Sequence, residues 1–280
     1  MQATKTPVGV ATLAQLIGYN DEFCYTLFAD EEIRRGLAEF GPAVDALYST
    51  DLFSNNSQAP RIQVPIASLR KFQKSHRSFA FAAYLIASYE VAADYYEQAL
   101  ELLRECGKAS LVHGTGDSPE ERFAASLANS GCGALDPNDV RTLTYIRKRR
   151  NHLVHLGAAP AVGFQDLCSN YGASMNAHWG PTREAVDFTV ASTAALSERE
   201  AVGFLKLLRI LIERLDAAVA AGIDNFKAVK REASRVRASL DRPNLDVLGR
   251  RAGELRHAVS VGYGLALTEE SARSAMHVAT

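Results

Sequence analysis

The chain has 280 residues, 31 Lys and Arg against 32 Asp and Glu, a net charge of −1, and 47% hydrophobic against 22% charged side chains. That composition supplies a large core and excludes intrinsic disorder. The near-zero charge excludes a protein that coats nucleic acid non-specifically, so any RNA contact has to be a local basic patch.

No apolar run approaches the ~20 residues of a membrane span. The first seven residues carry no secretory signal pattern, so a cytoplasmic location is expected. Cys24, Cys106, Cys132 and Cys168 show no C-x-x-C pairing and are expected to be ordinary thiols rather than a zinc site or a staple.

In chain order, residues 10–17 and 31–47 are expected to be helical around a looser segment at 18–21, and 49–64 reads as a polar linker. A long helix follows over 75–107. Leu85, Tyr89, Ala93, Tyr96, Leu100 and Leu103 mark its core face. Glu90, Asp94, Glu97, Glu101 and Glu105 make a second stripe, the usual pattern of a solvated face. His113 to Gly116 lacks the lysine of a phosphate loop and reads as a turn. Residues 119–129 form a short helix with Phe123 and Leu127 inward.

The next helix carries the chemistry. Asp136 suits its N-cap, Pro137 its first position and Asp139 its dipole, while Gly157 and Pro160 end it. At about 100° per residue, Val140, Leu143, Ile146, Leu153 and Val154 share one apolar sector with Arg150 near its middle. A lone guanidinium there is costly in a dry core. It is at home only if the sector opens onto a cleft or subunit interface where an anion makes Arg150 a phosphate ligand. Asn151 and His155, four apart, stack on one flank. Arg150 and His155 differ by about 140° and converge only because arginine is long. A plain solvated run completing the helix dipole fits Arg147 to Arg150 as well.

Arg150-Asn-His-Leu-Val-His155 resembles the R-x4-6-H motif of the HEPN superfamily, including the polar residue that often follows the arginine. The resemblance covers about residues 70–222. It implies an all-α fold, an up-and-down helical bundle, usually a homodimer whose motif helices meet in a cleft. It also implies metal-independent endoribonuclease activity without a cofactor, as in toxins, antiviral effectors and RNA-processing enzymes. In the implied mechanism a ribose 2′-hydroxyl attacks the adjacent phosphate, leaving a 2′,3′-cyclic phosphate and a 5′-hydroxyl. His155 exchanges protons near neutral pH, Arg150 stabilises the phosphorane, and Asn151 orients His155 or the phosphate. Arg147, Lys148, Arg149 and His152 become candidate RNA contacts. Of the acidic stripe, Glu90 is expected to lie near the motif helix and to pair with a basic side chain there as an auxiliary acid. RNA is the expected substrate, with an antitoxin or regulatory protein as a further partner. Some members have lost activity, so a catalytically silent helical module that binds RNA or a partner protein is the alternative.

Other chemistry finds less support. His152 and His155 are three apart, but a third metal ligand at recognisable spacing is missing, so no metal is expected. There is no G-x-S-x-G, Rossmann fingerprint or P-loop.

From 157 to 197 the periodicity weakens, and a long loop is expected, ending in a short strand at 185–191. Its Tyr171, His178 and Trp179 are available to stack bases or to pack on the bundle. Residues 198–221 give the last core helix, through Phe204, Leu208, Leu211, Leu215 and Ala218, closed by Gly222. Over 226–257 Lys and Arg outnumber the acids, a basic surface for RNA, an acidic partner or solvent. The expected organisation is an N-terminal extension and linker over 1–64, a bundle over 65–222 and a basic helical extension over 223–280.

Overall fold

The computed structural model describes residues 2–154, 160–238 and 247–278. The chain is all-α. Among the described residues there are eleven α-helices and no strand, only isolated bridges from Tyr48 to Pro65 and from Gly107 to Ile223.

Helix α1 (Pro7–Glu39) starts where Thr6 accepts from the Gly9 N–H at 3.0 Å, with proline in its first turn. It runs without the break expected at 18–21. The reason is its partner, the 41-residue α4 (Ile66–Cys106), against which Phe23 is buried with ring centroids 5.3 Å from Phe81 and 5.4 Å from Tyr84. Tertiary packing overrides the weak local propensity of Gly18. The expected linker holds two short helices, α2 (Ser49–Leu52) and α3 (Ala59–Ile62), and α4 begins at Ile66 rather than at 75.

Helix α4 is the axis of the molecule. It packs against α1, α5 (Pro119–Asn129), α6 (Pro137–Val154), α8 (Glu198–Gly222) and α9 (Asn225–Ala238). Leu85, Tyr89, Tyr96 and Leu103 are buried, and Ala93 and Leu100 are half-buried, as their spacing requires. Helices α5 and α8 begin with reciprocal caps, Ser118 with Glu121 and Ser197 with Glu200. Helices α10 (Val247–Tyr263) and α11 (Glu269–Val278) pack with α9, and α10 also reaches α1. One hydrophobic cluster joins residues from Ala3 to Met276.

The loop expected after 157 contains α7 (Val162–Trp179), followed by a 3-10 turn at Gly180–Arg183. Glycines disguised its period. Gly172 is there because the chain passes close by: a Cβ would lie 2.5 Å from the Phe188 carbonyl oxygen. The strand expected at 185–191 does not form. Instead Val186 and Phe188 are buried, and the Tyr145 hydroxyl lies within hydrogen-bond reach of the carbonyls of Asp187 and Val190 at 3.2 and 2.9 Å. A side chain thus does part of what a ladder would do.

Near the N-terminus, the buried Asp216 carboxylate accepts from the Thr6 N–H at 2.8 Å, the Thr6 hydroxyl at 2.5 Å and the Tyr95 hydroxyl at 3.2 Å. Burial pushes its pKa up, against the pull of these bonds. A Cβ at Gly9 would lie 2.0 Å from Asp216 Cγ. Gly9→Ala is therefore expected to lower stability by about 2–3 kcal/mol, through overpacking and displaced buried hydrogen bonds. Urea unfolding of the variant measures this, and an unchanged midpoint contradicts it.

Candidate functional site

Helix α6 opens as its sequence requires, with Asp136 Oδ1 accepting from the Asn138 N–H at 2.7 Å. The face it buries differs from the expected sector. Thr142, Tyr145, Ile146 and Arg149, at i, i+3, i+4 and i+7, are buried together with Leu143, whereas Val140 and Leu153 are half-buried and Val154 is exposed. Tyr145 sets this phase. Its ring meets Phe164, Phe188 and Phe204 at 5.2, 4.9 and 6.2 Å, and aromatic burial outweighs the thinner aliphatic strip. The guanidinium drawn into the core is therefore that of Arg149, not Arg150.

Arg149 is fully buried and donates to the Ala194 carbonyl at 2.5 Å; its Nε and Nη1 find no acceptor among the described residues. Burial lowers its pKa. In this position it presents no surface to RNA.

Helical rotation separates its basic neighbours. Arg147 turns to α5, where its Nε lies 3.2 Å from both oxygens of the buried Glu120, which also accepts from the Tyr89 hydroxyl at 2.7 Å. Burial and the nearby carboxylate push the Tyr89 pKa up, so the hydroxyl remains a donor. Arg147 and Lys148 together line a polar pocket of about 430 Å³ with Thr144, Asp166, Asn170 and Tyr171. The His152 ring stacks on Phe164 at 5.5 Å.

Arg150 leaves toward α4. It pairs with Glu90 and donates through Nη1 to Asn151 Oδ1 at 3.0 Å. Its side chain is 25% exposed, yet its Nε is buried without an acceptor among the described residues. The structure thus brings Arg150, Asn151 and Glu90 together. His155 lies outside the described residues. Along the acidic stripe the carboxylates are exposed, but Glu90 and Glu105 also tie α4 to other helices, Glu105 through Arg231 at 2.6 Å.

No family model matches this chain, and neither does any curated protein or solved structure. The function has to be argued from the chain's own geometry.

A second polar cluster, on the same helix, was hidden in the sequence. Asp139 is buried and takes Arg214 Nη1 at 2.7 Å, with His178 Nε2 at 2.8 Å. Arg214 also lies over the Trp179 ring at 4.7 Å, and the Trp179 Nε1–H donates to Thr142 at 2.8 Å. His178 and Trp179 therefore pack on α6 rather than standing clear to stack bases. Tyr171 is exposed beneath the Arg141 guanidinium, 4.0 Å from the ring centre. Asp139 and Arg214 are 75 residues apart, so no local signal joins them.

The C-terminal basic segment is partly neutralised within the fold. Arg231 pairs with Glu105 and Glu232, Arg235 pairs with Glu232, and Arg256 donates to the Leu267 carbonyl at 3.1 Å. Arg242 lies outside the described residues. The four cysteines are free, and burial pushes the Cys106 and Cys168 thiols up to about 11, which keeps them protonated at neutral pH. Among the described residues, no group of three His, Cys, Asp or Glu is gathered to hold a metal ion, and no helix is long and apolar enough to cross a membrane.

Proposed function

We propose that this chain is a metal-independent endoribonuclease of the HEPN kind, a cytoplasmic homodimer acting as a toxin or antiviral defence effector under control of a partner protein. The observation that carries this reading is the state of Arg150: part-exposed near the C-terminal end of α6 and braced by Glu90 and Asn151. An RNA phosphate suits the part-exposed guanidinium, because its oxygens match the guanidinium fork. Glu90 holds the guanidinium in place. Arg150 then stabilises the charge that builds on the phosphorane.

Asn151 has its Oδ1 engaged by Arg150, which leaves its amide N–H groups to orient the phosphate or His155. His155 moves the proton near neutral pH, and the copy in a second protomer completes an acid and base pair. Cleavage of mixed single-stranded and structured RNA in excess EDTA, beside Arg150→Ala and His155→Ala, tests the proposal.

One observation favours a second reading. Glu90 already neutralises Arg150, as a purely structural clamp between α4 and α6 would. The chain is then a silent helical module that binds RNA or a partner protein. Glu90→Gln separates the two. In the nuclease it is expected to tighten RNA binding several-fold, since the guanidinium is no longer opposed, and to slow cleavage about ten-fold because Arg150 loses its fixed position. Single-turnover cleavage and RNA titration read the two effects apart. If neither moves, Glu90 has no part in the site.

A further inference from the structure

A pocket of about 770 Å³ opens between the C-terminal half of α1, the short helices α2 and α3, and the N-terminal half of α4. That is the size of sites that take small organic molecules. It is remote from Arg150. Gln73 at this pocket and Glu90 at the Arg150 site lie on the same helix, about 26 Å apart along its axis.

The walls are aromatic and open. Tyr25, Phe40, Phe53 and Phe72 line the pocket, and Tyr25 and Phe72 are 70% and 53% exposed. Exposed rings gathered around one concavity mark a binding surface rather than scattered surface apolarity. The charge is one-sided. Asp30, Glu39 and His76 line the pocket, while among the described residues no lysine or arginine does.

Asp30 is the informative residue. A carboxylate offers about four acceptor positions, and this one is only 6% exposed. Among the described residues it receives one long hydrogen bond, from the Gln73 amide at 3.4 Å. Arg77 Nε stands 3.6 Å away, and that guanidinium is shared with Glu198. A buried anion whose nearest cation, Arg77, is shared with Glu198, in the wall of an aromatic pocket, has acceptor positions left for a cationic donor.

We propose that this pocket binds a small organic cation, an ammonium group carried on an aromatic body. The ammonium donates to Asp30, and the body lies among Phe72, Phe53 and Tyr25, where ring faces also favour the positive charge. A carboxylate of the same shape is repelled by Asp30 and Glu39.

The test uses the full chain in calorimetric titrations with three probes of one shape: 2-(1-naphthyl)ethylammonium, 2-(1-naphthyl)ethanol and 1-naphthaleneacetate. The ammonium is expected to bind about ten-fold more tightly than the alcohol, the effect of one charge-assisted hydrogen bond, and the carboxylate least. Asp30→Asn should bring the ammonium down to the level of the alcohol. Phe72→Ala should weaken both by about ten-fold. Binding of the carboxylate as tightly as the ammonium overturns the proposal, as does absence of ammonium binding at millimolar concentration. So does a folded Asp30→Asn variant that keeps the preference. Sedimentation run in parallel gives a further way to fail: a dimer that Phe72→Ala dissociates would show that a second copy fills the groove. If Asp30→Asn does not fold, Phe72→Ala decides, since its side chain is exposed, and unchanged affinity there overturns the proposal.

Discussion

Glu120→Ala is expected to cost about 3–5 kcal/mol of stability, the usual penalty for removing one partner of a buried ion pair. Glu120 is 1% exposed and gathers three contacts, two from Arg147 Nε at 3.2 Å and one from the Tyr89 hydroxyl at 2.7 Å. Truncation strands the Arg147 guanidinium, whose side chain is only 23% exposed and recovers little water. It also leaves the Tyr89 hydroxyl without its acceptor, in a core where the Tyr96 hydroxyl already has no partner among the described residues. Glu120→Gln keeps the shape and one acceptor oxygen, so a loss smaller by about 1–2 kcal/mol is expected. Urea midpoints of the two variants measure both numbers. A cost below about 1 kcal/mol for Glu120→Ala would mean that the pair contributes no more than an exposed one.

Arg150→Ala is expected to slow RNA cleavage by about 10²–10³, the worth of one donor to a developing oxyanion. His155→Ala is expected to slow it by about 10²–10⁴, the contribution of positioned proton transfer. Arg150→Ala should stay folded. Its ion pair joins a partly exposed guanidinium to a Glu90 side chain that is 53% exposed, and such pairs are worth about 0–1 kcal/mol. Single-turnover rates beside thermal unfolding separate chemistry from folding. Unfolding of Arg150→Ala, or cleavage at the parental rate, would make Arg150 a structural residue and nothing more.

The parts of the fold that could be read from the sequence are those fixed by neighbours in the chain. The ranges expected at 119–129 and 198–221 match α5 and α8, whose starts the structure shows capped by Ser118 with Glu121 and Ser197 with Glu200, and the spacing from Leu85 to Leu103 marked the buried face of α4. Where distant residues decide, local patterns misled. Gly163 and Gly172 hid α7, because the glycine at 172 answers to the Phe188 backbone rather than to helix propensity.

The same division runs through the candidate site. The helix carrying Arg150 was visible from Asp136 and Pro137, but its rotation was not. That rotation depends on Tyr145 meeting rings from α7, from residue 188 and from α8, none of them near in sequence. A turn of one residue exchanged Arg149 for Arg150 in the core. Glu90 reaches Arg150 across 60 residues, a contact to which its place on the acidic stripe pointed. The cluster of Asp139, His178 and Arg214 left no such trace: Asp139 and His178 each suggested another role, and His178 and Arg214 lie 39 and 75 residues from Asp139.

The most direct test is chemical identification of the ends produced when the purified chain is incubated with RNA in excess EDTA. Fragments ending in 2′,3′-cyclic phosphate and beginning with 5′-hydroxyl, absent with Arg150→Ala and with His155→Ala, are the predicted result. Intact RNA, or fragments that persist in both variants, would contradict it.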